Sequence, residues 1–353
     1  MDKPSEICAE LDALLRLSAR IGRDPLLVQA SSGNTSLKRD GTLWVKASGK
    51  WLAHANCEDI LVPVDLGHCR ECFERGLESL GDAESCGGTS RLHPSIETFM
   101  HAVLPYTVVI HVHSVNTIAW AVRRDALLHL SDRLHGLAWQ WIPYVSSGLP
   151  LARQIQVALS RRPDANIFIL ANHGLVVCGD TCEAAEAALL EVERRLALPV
   201  RHPPNCDSTW RANLDDSSLW RLPDEEALHA LATDSVCLQI LRNGTLFPCQ
   251  AIFLGAPAPV VDDFEEFAET AHLDRLCDQP QPYVILAGKG VLVNKCLTAA
   301  QDAVLRGLLE VTLRVGESSP VQYLTPSQVD TLMGVEGHAY RRSAENNVQH
   351  SFA

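Results

Sequence analysis

Val108-Val109-Ile110-His111-Val112-His113-Ser114 is the stretch on which the fold turns. Four β-branched residues around two histidines at i and i+2 spell a short buried strand, and side-chain alternation puts His111 and His113 on one face. Two imidazoles on one stiff backbone can grip one metal ion. A third nitrogen is offered by Phe168-Ile169-Leu170-Ala171-Asn172-His173-Gly174-Leu175-Val176-Val177, an apolar pair of strands with His173 at its break. Three histidines with an open fourth position describe a catalytic metal site, because structural zinc sites are closed by four protein ligands. Any one of them alone reads as a core or turn histidine; the trio in this order does not.

Working outward, the helix that leads into this strand starts at Pro94 and carries Ile96, Phe99, Met100, Val103 and Leu104 as its apolar stripe. Glu97 and His101 lie four apart on a different face. Placed just upstream of the two histidines, Glu97 is a candidate carboxylate base at the metal, against the plain alternative of a solvated surface glutamate. Further upstream a helix spans residues 5–21, and Leu27 to Lys38 reads as a strand interrupted by Ser31-Ser32-Gly33-Asn34-Thr35-Ser36. Arg39-Asp40-Gly41 turns the chain, and Thr42 to Lys50 returns it. The loops Ser32–Ser36 and Ser48-Gly49-Lys50 can present N–H groups and hydroxyls to an anion, and they read equally as ordinary polar turns. Residues 66–90, rich in Cys, Gly and Glu, read as a long loop or small insertion.

Downstream, residues 114–122 read as helix, 139–145 as strand, 149–159 as helix and 181–196 as a helix capped by Thr181. Pro199, Pro203 and Pro204 mark a linker. The second half echoes the first. Val284 to Val293 laid over Phe168 to Val177 gives five identities in ten, with Lys289 in the place of His173, and both segments run into a helix behind Thr181 or Thr298. Leu246 to Gly255 resembles Leu104 to His113 in outline. The second half therefore reads as a degenerate repeat whose metal site is lost.

Composition bounds the partners. The chain has 353 residues, 46% hydrophobic and 21% charged, which is ordinary globular usage with room for two domains. A formal charge of −13 argues against nucleic acid or an anionic membrane as the main partner. No apolar run of about 18 residues occurs, and the N-terminus lacks the basic-then-apolar pattern of a secretory leader, so a cytoplasmic location is expected. The 12 scattered cysteines fit reduced thiols. Cys69-x-x-Cys72, with His68, Cys57 and Cys86 near it, is a weak metal signature because no spaced partner pair accompanies it.

Five separated motifs now carry more than geometry. Ser32-Gly33-Asn34-Thr35-Ser36, Ser48-Gly49, Ser95-Ile96-Glu97, His111-Val112-His113 and Asn172-His173-Gly174, in that order, resemble the class II aldolase/adducin family. More narrowly, Gly33-Asn34-Thr35-Ser36, Leu43-Trp44-Val45-Lys46 and Pro94-Ser95-Ile96-Glu97-Thr98 resemble the aldolase part of bacterial bifunctional aldolase/short-chain dehydrogenases. No GxGxxG turn of a dehydrogenase half follows.

The resemblance implies an α/β fold with a mixed sheet and helices on both faces, a Zn2+ or other divalent transition-metal cofactor held by His111, His113 and His173, and Glu97 as catalytic acid/base. It implies substrate phosphate binding by Asn34, Ser48, Gly49 and Ser95. Ile96 departs from the second serine common in the family's sugar-phosphate aldolases, and Arg91 or Lys50 are the compensating candidates. The expected organisation is a catalytic domain over residues 1–198, a linker over 199–222, a smaller α/β repeat domain over 223–340 and a flexible tail over 341–353. The implied activity is a lyase splitting a ketose phosphate into dihydroxyacetone phosphate and an aldehyde. Epimerase, decarboxylase or dehydratase chemistry, or a non-catalytic adducin-like interaction module, are the alternatives. A small-molecule sugar phosphate is the expected partner, and a homo-oligomer, tetrameric in some relatives, the expected assembly. An apolar setting should raise the Glu97 pKa, and a second acid is sought at Tyr144 or Tyr106.

Overall fold

The computed structural model describes residues 3–80, 92–202, 219–263, 265–267, 281–334, 337 and 340–344. They fall into two compact units, one from Met1–Ala121, Ala126–Ala197 and Arg342–Ala353, the other from Val122–Asp125 and Leu198–Arg341.

The first unit contains α1 (Lys3–Gly22), β1 (Asn34–Arg39), β2 (Thr42–Lys46), β3 (Leu61–Asp65), α2 (Leu66–Glu74), α3 (Thr98–Val103) and β4 (Val108–Val112). After these come α4 (Val115–Ala121), α5 (Ala126–Arg133), β5 (Trp139–Ile142), α6 (Leu149–Arg161), β6 (Ile167–Leu170), β7 (Gly174–Gly179) and α7 (Cys182–Leu196). Seven strands form one mixed sheet in the order β3-β2-β1-β4-β7-β6-β5, antiparallel except for the β5/β6 pair. β4 lies near its centre, so every residue of Val108–Val112 is buried. Alternation sends Val109, Val176, Cys178 and Phe168 to one side, where they pack with Phe99 and Met100 of α3 and with Leu151 and Ile155 of α6. α1, α4 and α7 pack against β1, β4 and β7 from the other side. Helices thus cover both faces, and the histidines emerge where β4 ends.

Local physics moves several boundaries from their expected places. Leu27 to Gly33 is a run of turns, because the Asp24 side chain accepts from the backbone N–H of Leu26 and its carbonyl from those of Leu27 and Val28. Leu66–Glu74, expected as loop, is helical: Asp65 caps it by accepting from the His68 N–H. α3 starts at Thr98 rather than Pro94. Pro94 bridges to Ala47 and the Ser95 N–H donates to the Lys46 carbonyl, so this segment is held to β2 and Glu97 becomes the N-cap residue. As a result Ile96 is not in the apolar stripe but 53% exposed. Arg91 and Cys86 lie outside the described residues.

The second unit holds a four-stranded sheet of β8 (Trp220–Arg221), β9 (Val260–Val261), β10 (Tyr283–Leu286) and β11 (Gly290–Asn294) in the order β8-β11-β10-β9. β8 falls where a linker was expected. This order and its directions repeat β4-β7-β6-β5, with the last pair parallel and the others antiparallel. The hairpins match to the residue: Leu170 pairs with Gly174 and Leu286 with Gly290, and the left-handed turn residues are Asn172 and Gly288. Both hairpins feed a helix capped by threonine, Thr181 for α7 and Thr298 for Ala299–Arg314. Leu246 to Gly255, however, is not the strand expected there. Pro248 lacks a donor, the Gln250 side chain accepts from the Leu246 N–H, and Gln250–Leu254 closes as a π-helical turn. The strand in the place of β4 is the two-residue β8, too short to show a period in the sequence.

Candidate metal centre

His111 lies near the end of β4 and His113 directly after it, and His173 enters from the turn between β6 and β7. That turn is built to bring the third ring in. Asn172 takes the left-handed conformation (φ 52), the His173 N–H donates to the Leu170 carbonyl, and Gly174 lets β7 close on β4. A Cβ at Gly174 would stand 2.4 Å from the Val112 carbonyl oxygen, so any larger residue would push His173 away.

The three rings stand with centroids 5.0 Å apart in each pair, edge to face, and their ligand nitrogens form one buried group. His111 Nε2 and His113 Nε2 are 3.2 Å apart. Tetrahedral zinc with Zn–N near 2.05 Å sets neighbouring nitrogens about 3.3 Å apart, so the donor set fits such an ion. His111 Nδ1 lies 3.0 Å from the Leu175 carbonyl oxygen, which takes its proton and leaves Nε2 bare for a metal. Burial holds the His113 imidazole well below its usual pKa and brings that of His173 down to about 4, so both are neutral, the form a metal binds.

Glu97 faces this trio. Its Oε2 is 3.4 Å from His111 Nε2, its Oε1 3.5 Å from His173 Nε2, and it is 5% exposed. Asn34 donates to Oε2 at 2.8 Å and the Ser147 hydroxyl to Oε1 at 3.1 Å. Burial pushes the Glu97 carboxyl up, while the Asn34 amide and any positive charge carried by the facing His111 and His173 rings pull it below the carboxylate range. The direction is opposite to the upward shift expected from an apolar setting.

The proposed anion residues fall into two linked loops. The Asn34 amide also donates to Ser95 Oγ at 3.2 Å, and Ser95 Oγ accepts from the Glu97 N–H at 3.2 Å. The Ser48 N–H donates to the His93 carbonyl beside them, and Gly49 has φ +74. A Cβ on Gly49 would lie 2.3 Å from the Ser343 hydroxyl, which sits in the helical segment Arg341–Ala344 of what the sequence suggests is a loose tail. Lys46 ties the two polar loops together. Its ammonium is buried and donates to the carbonyls of Ser31 and Lys50, each at 2.6 Å.

Lys50 is not a spare cation for an anion, since its ammonium is 2.9 Å from Glu58. Tyr106 is no candidate acid either: it precedes β4, at the end away from the histidines, and its hydroxyl donates to the Asp164 carbonyl. Tyr144 lies three residues before Ser147, with burial pushing its hydroxyl up to about 12. Cys69 and Cys72 are buried free thiols, and Cys72 Sγ is 3.3 Å from His68 Nε2. Among the described residues the histidine trio alone makes a metal-sized group.

The chain belongs to the family described as the class II aldolase and adducin N-terminal domain, whose model matches residues 13–199. A Bacillus subtilis (strain 168) protein described as an uncharacterized oxidoreductase, YuxG, is 28% identical over 198 residues, covering 52% of this chain and 28% of YuxG. The chain thus spans little more than a quarter of that relative. Among solved structures, the N-terminal class II aldolase domain of a conserved Thermoplasma acidophilum protein is 25% identical, covering 53% of this chain and 92% of that one with a TM-score of 0.47. L-fuculose-1-phosphate aldolase from Thermus thermophilus is 17% identical, covering 53% and 91%, with a TM-score of 0.39. No described helix is long and apolar enough to cross a membrane.

Proposed function

We propose that the first unit is a zinc-dependent lyase that splits a sugar-derived ketose phosphate into dihydroxyacetone phosphate and an aldehyde. The observation that carries this reading is the buried Glu97 carboxyl group held between His111 and His173 with both oxygens hydrogen-bonded. Retro-aldol cleavage starts when a base takes the proton of the hydroxyl on the carbon that becomes the aldehyde. The adjacent carbon–carbon bond then breaks, its electron pair passes to the three-carbon fragment, and a proton must return to that fragment. Glu97 moves the proton. A zinc ion, when bound by His111, His113 and His173, supplies Lewis acidity for the negative charge that develops on substrate oxygen.

In this reading Asn34, Ser95, Ser48 and Gly49 form the anion side, and the hydroxyls of Ser48 and Ser95 are the donors it offers, since the Asn34 amide and the Ser48 and Ser95 N–H groups are engaged within the protein. Ile96 stands exposed at the edge of the same group and offers no donor. The test is aldehyde release from a panel of ketose 1-phosphates and the free ketoses, with the purified protein before and after metal chelation. Cleavage lost on chelation and restored by zinc supports the reading. Chelator-insensitive cleavage, or a product that is an epimer or carbon dioxide, overturns it.

A further inference from the structure

One buried histidine is left unused by this chemistry, and its contacts run straight to Glu97. Asn34 and Ser36 are i and i+2 on β1, so both face α3, while Glu97 and His101 are one helical turn apart. The two pairs interlock. His101 Nδ1 is 2.6 Å from the Ser36 hydroxyl, His101 Nε2 is 2.5 Å from Asn34 Oδ1, and Asn34 Nδ2 is 2.8 Å from Glu97 Oε2. His101 and Ser36 are both fully buried and Asn34 is 3% exposed, so no water competes for these contacts.

The contacts themselves order the chain: Asn34 directs its NH2 at both Glu97 Oε2 and Ser95 Oγ and its carbonyl oxygen at His101 Nε2. That carbonyl only accepts, so His101 must carry its proton on Nε2. Nδ1 is then a bare acceptor for the Ser36 O–H.

We propose that His101 is a positioning residue: it acts through Asn34 to lock the amide donor against Glu97. Without it the Asn34 amide is free to turn its oxygen to the carboxylate, which would repel Glu97 from its place between His111 and His173. Burial brings the His101 imidazole down to about 3, in keeping with a neutral ring.

This inference rests on Glu97 as the base, and the tests are chosen to separate the two. In metal-free protein at neutral pH, long-range 1H–15N NMR should show His101 as the Nε2–H tautomer and the Asn34 side-chain NH2 slow to exchange. The His101→Leu variant should lose that slow exchange while binding zinc as tightly as the parent. These readouts need no substrate, so they stand even if no cleavage is found.

Where cleavage is measured, His101→Leu should lower kcat roughly 10–100-fold with KM nearly unchanged, the scale seen when an outer-layer partner is removed. The His101→Gln variant, which keeps a donor for Asn34 and an acceptor for Ser36, should recover most of it. Three results overturn the proposal: an Nδ1–H ring or imidazolium in the parent, a His101→Leu variant that keeps its Asn34 signal and full kcat, and a His101→Gln variant no better than His101→Leu.

Discussion

A single carboxylate decides what the metal centre can do. Glu97→Gln keeps the shape and the Asn34 contact but cannot take a proton, so kcat should fall by roughly 10²–10⁴ while zinc content stays at that of the parent. His113→Ala removes one of three nitrogens, and atomic absorption should find that variant metal-poor after dialysis. Lys38 makes a prediction about pH. It is buried in β1 with its ammonium on the Tyr106 carbonyl, and burial brings its pKa down from 10.5 to about 8. The folded state therefore resists the charged form. Below pH 8 the ammonium is present in both folded and unfolded chains and the full penalty applies; from pH 8 to 10.5 the unfolded chain holds more protons and stability rises. The Lys38→Met variant has no such group. Its advantage in unfolding free energy over the parent should shrink by about 3 kcal/mol across that window, measured by urea titration at a series of pH values. A constant difference would contradict the assignment.

At the level of elements, the histidines were readable because each sits in a local pattern. A strand of period two carries His111 and His113, and an Asn-His-Gly turn carries His173. Glu97 was placed for the same reason, one short segment upstream. The supporting residues left no such trace. Ser147 reaches Glu97 across 50 positions, His101 reaches Asn34 across 67, and Lys46 reaches Ser31 with its head in the interior, so no periodicity reports them. A helix also stands at Leu66 where a loop was expected, set by its Asp65 cap, and the helix expected from Pro94 starts at Thr98 because a strand bridge holds Pro94. Lys46 is where the loops can be tested. Lys46→Met leaves the carbonyls of Ser31 and Lys50 without their donor, which should lower stability by about 1–3 kcal/mol in chemical denaturation. The KM for a phosphorylated substrate should rise more than that of its unphosphorylated counterpart, since both polar loops lose the same tether.

The molecule as a whole uses one hairpin design twice, with different consequences. Read in register, Lys289 stands where His173 stands, and extending the β8 pairing by one residue puts Leu222 in the place of His111. An ammonium and an isobutyl group hold no transition metal, so purified protein should carry one zinc per chain. Two per chain, by elemental analysis against protein concentration, would contradict this. The internal likeness was legible from Phe168–Val177 and Val284–Val293. The partner strand was not, since Trp220–Arg221 is too short to announce itself.

The packing of Ser343 against Gly49, with Ala344 wholly enclosed, bears on anyone who handles this chain. An affinity handle fused behind residue 353 hangs only nine positions from a fully enclosed side chain, whereas one placed ahead of Met1 joins a helix whose described side chains include exposed ones from its second turn. Cleaving a C-terminal handle should sharpen phosphate-dependent kinetics, and cleaving an N-terminal one should leave them alone.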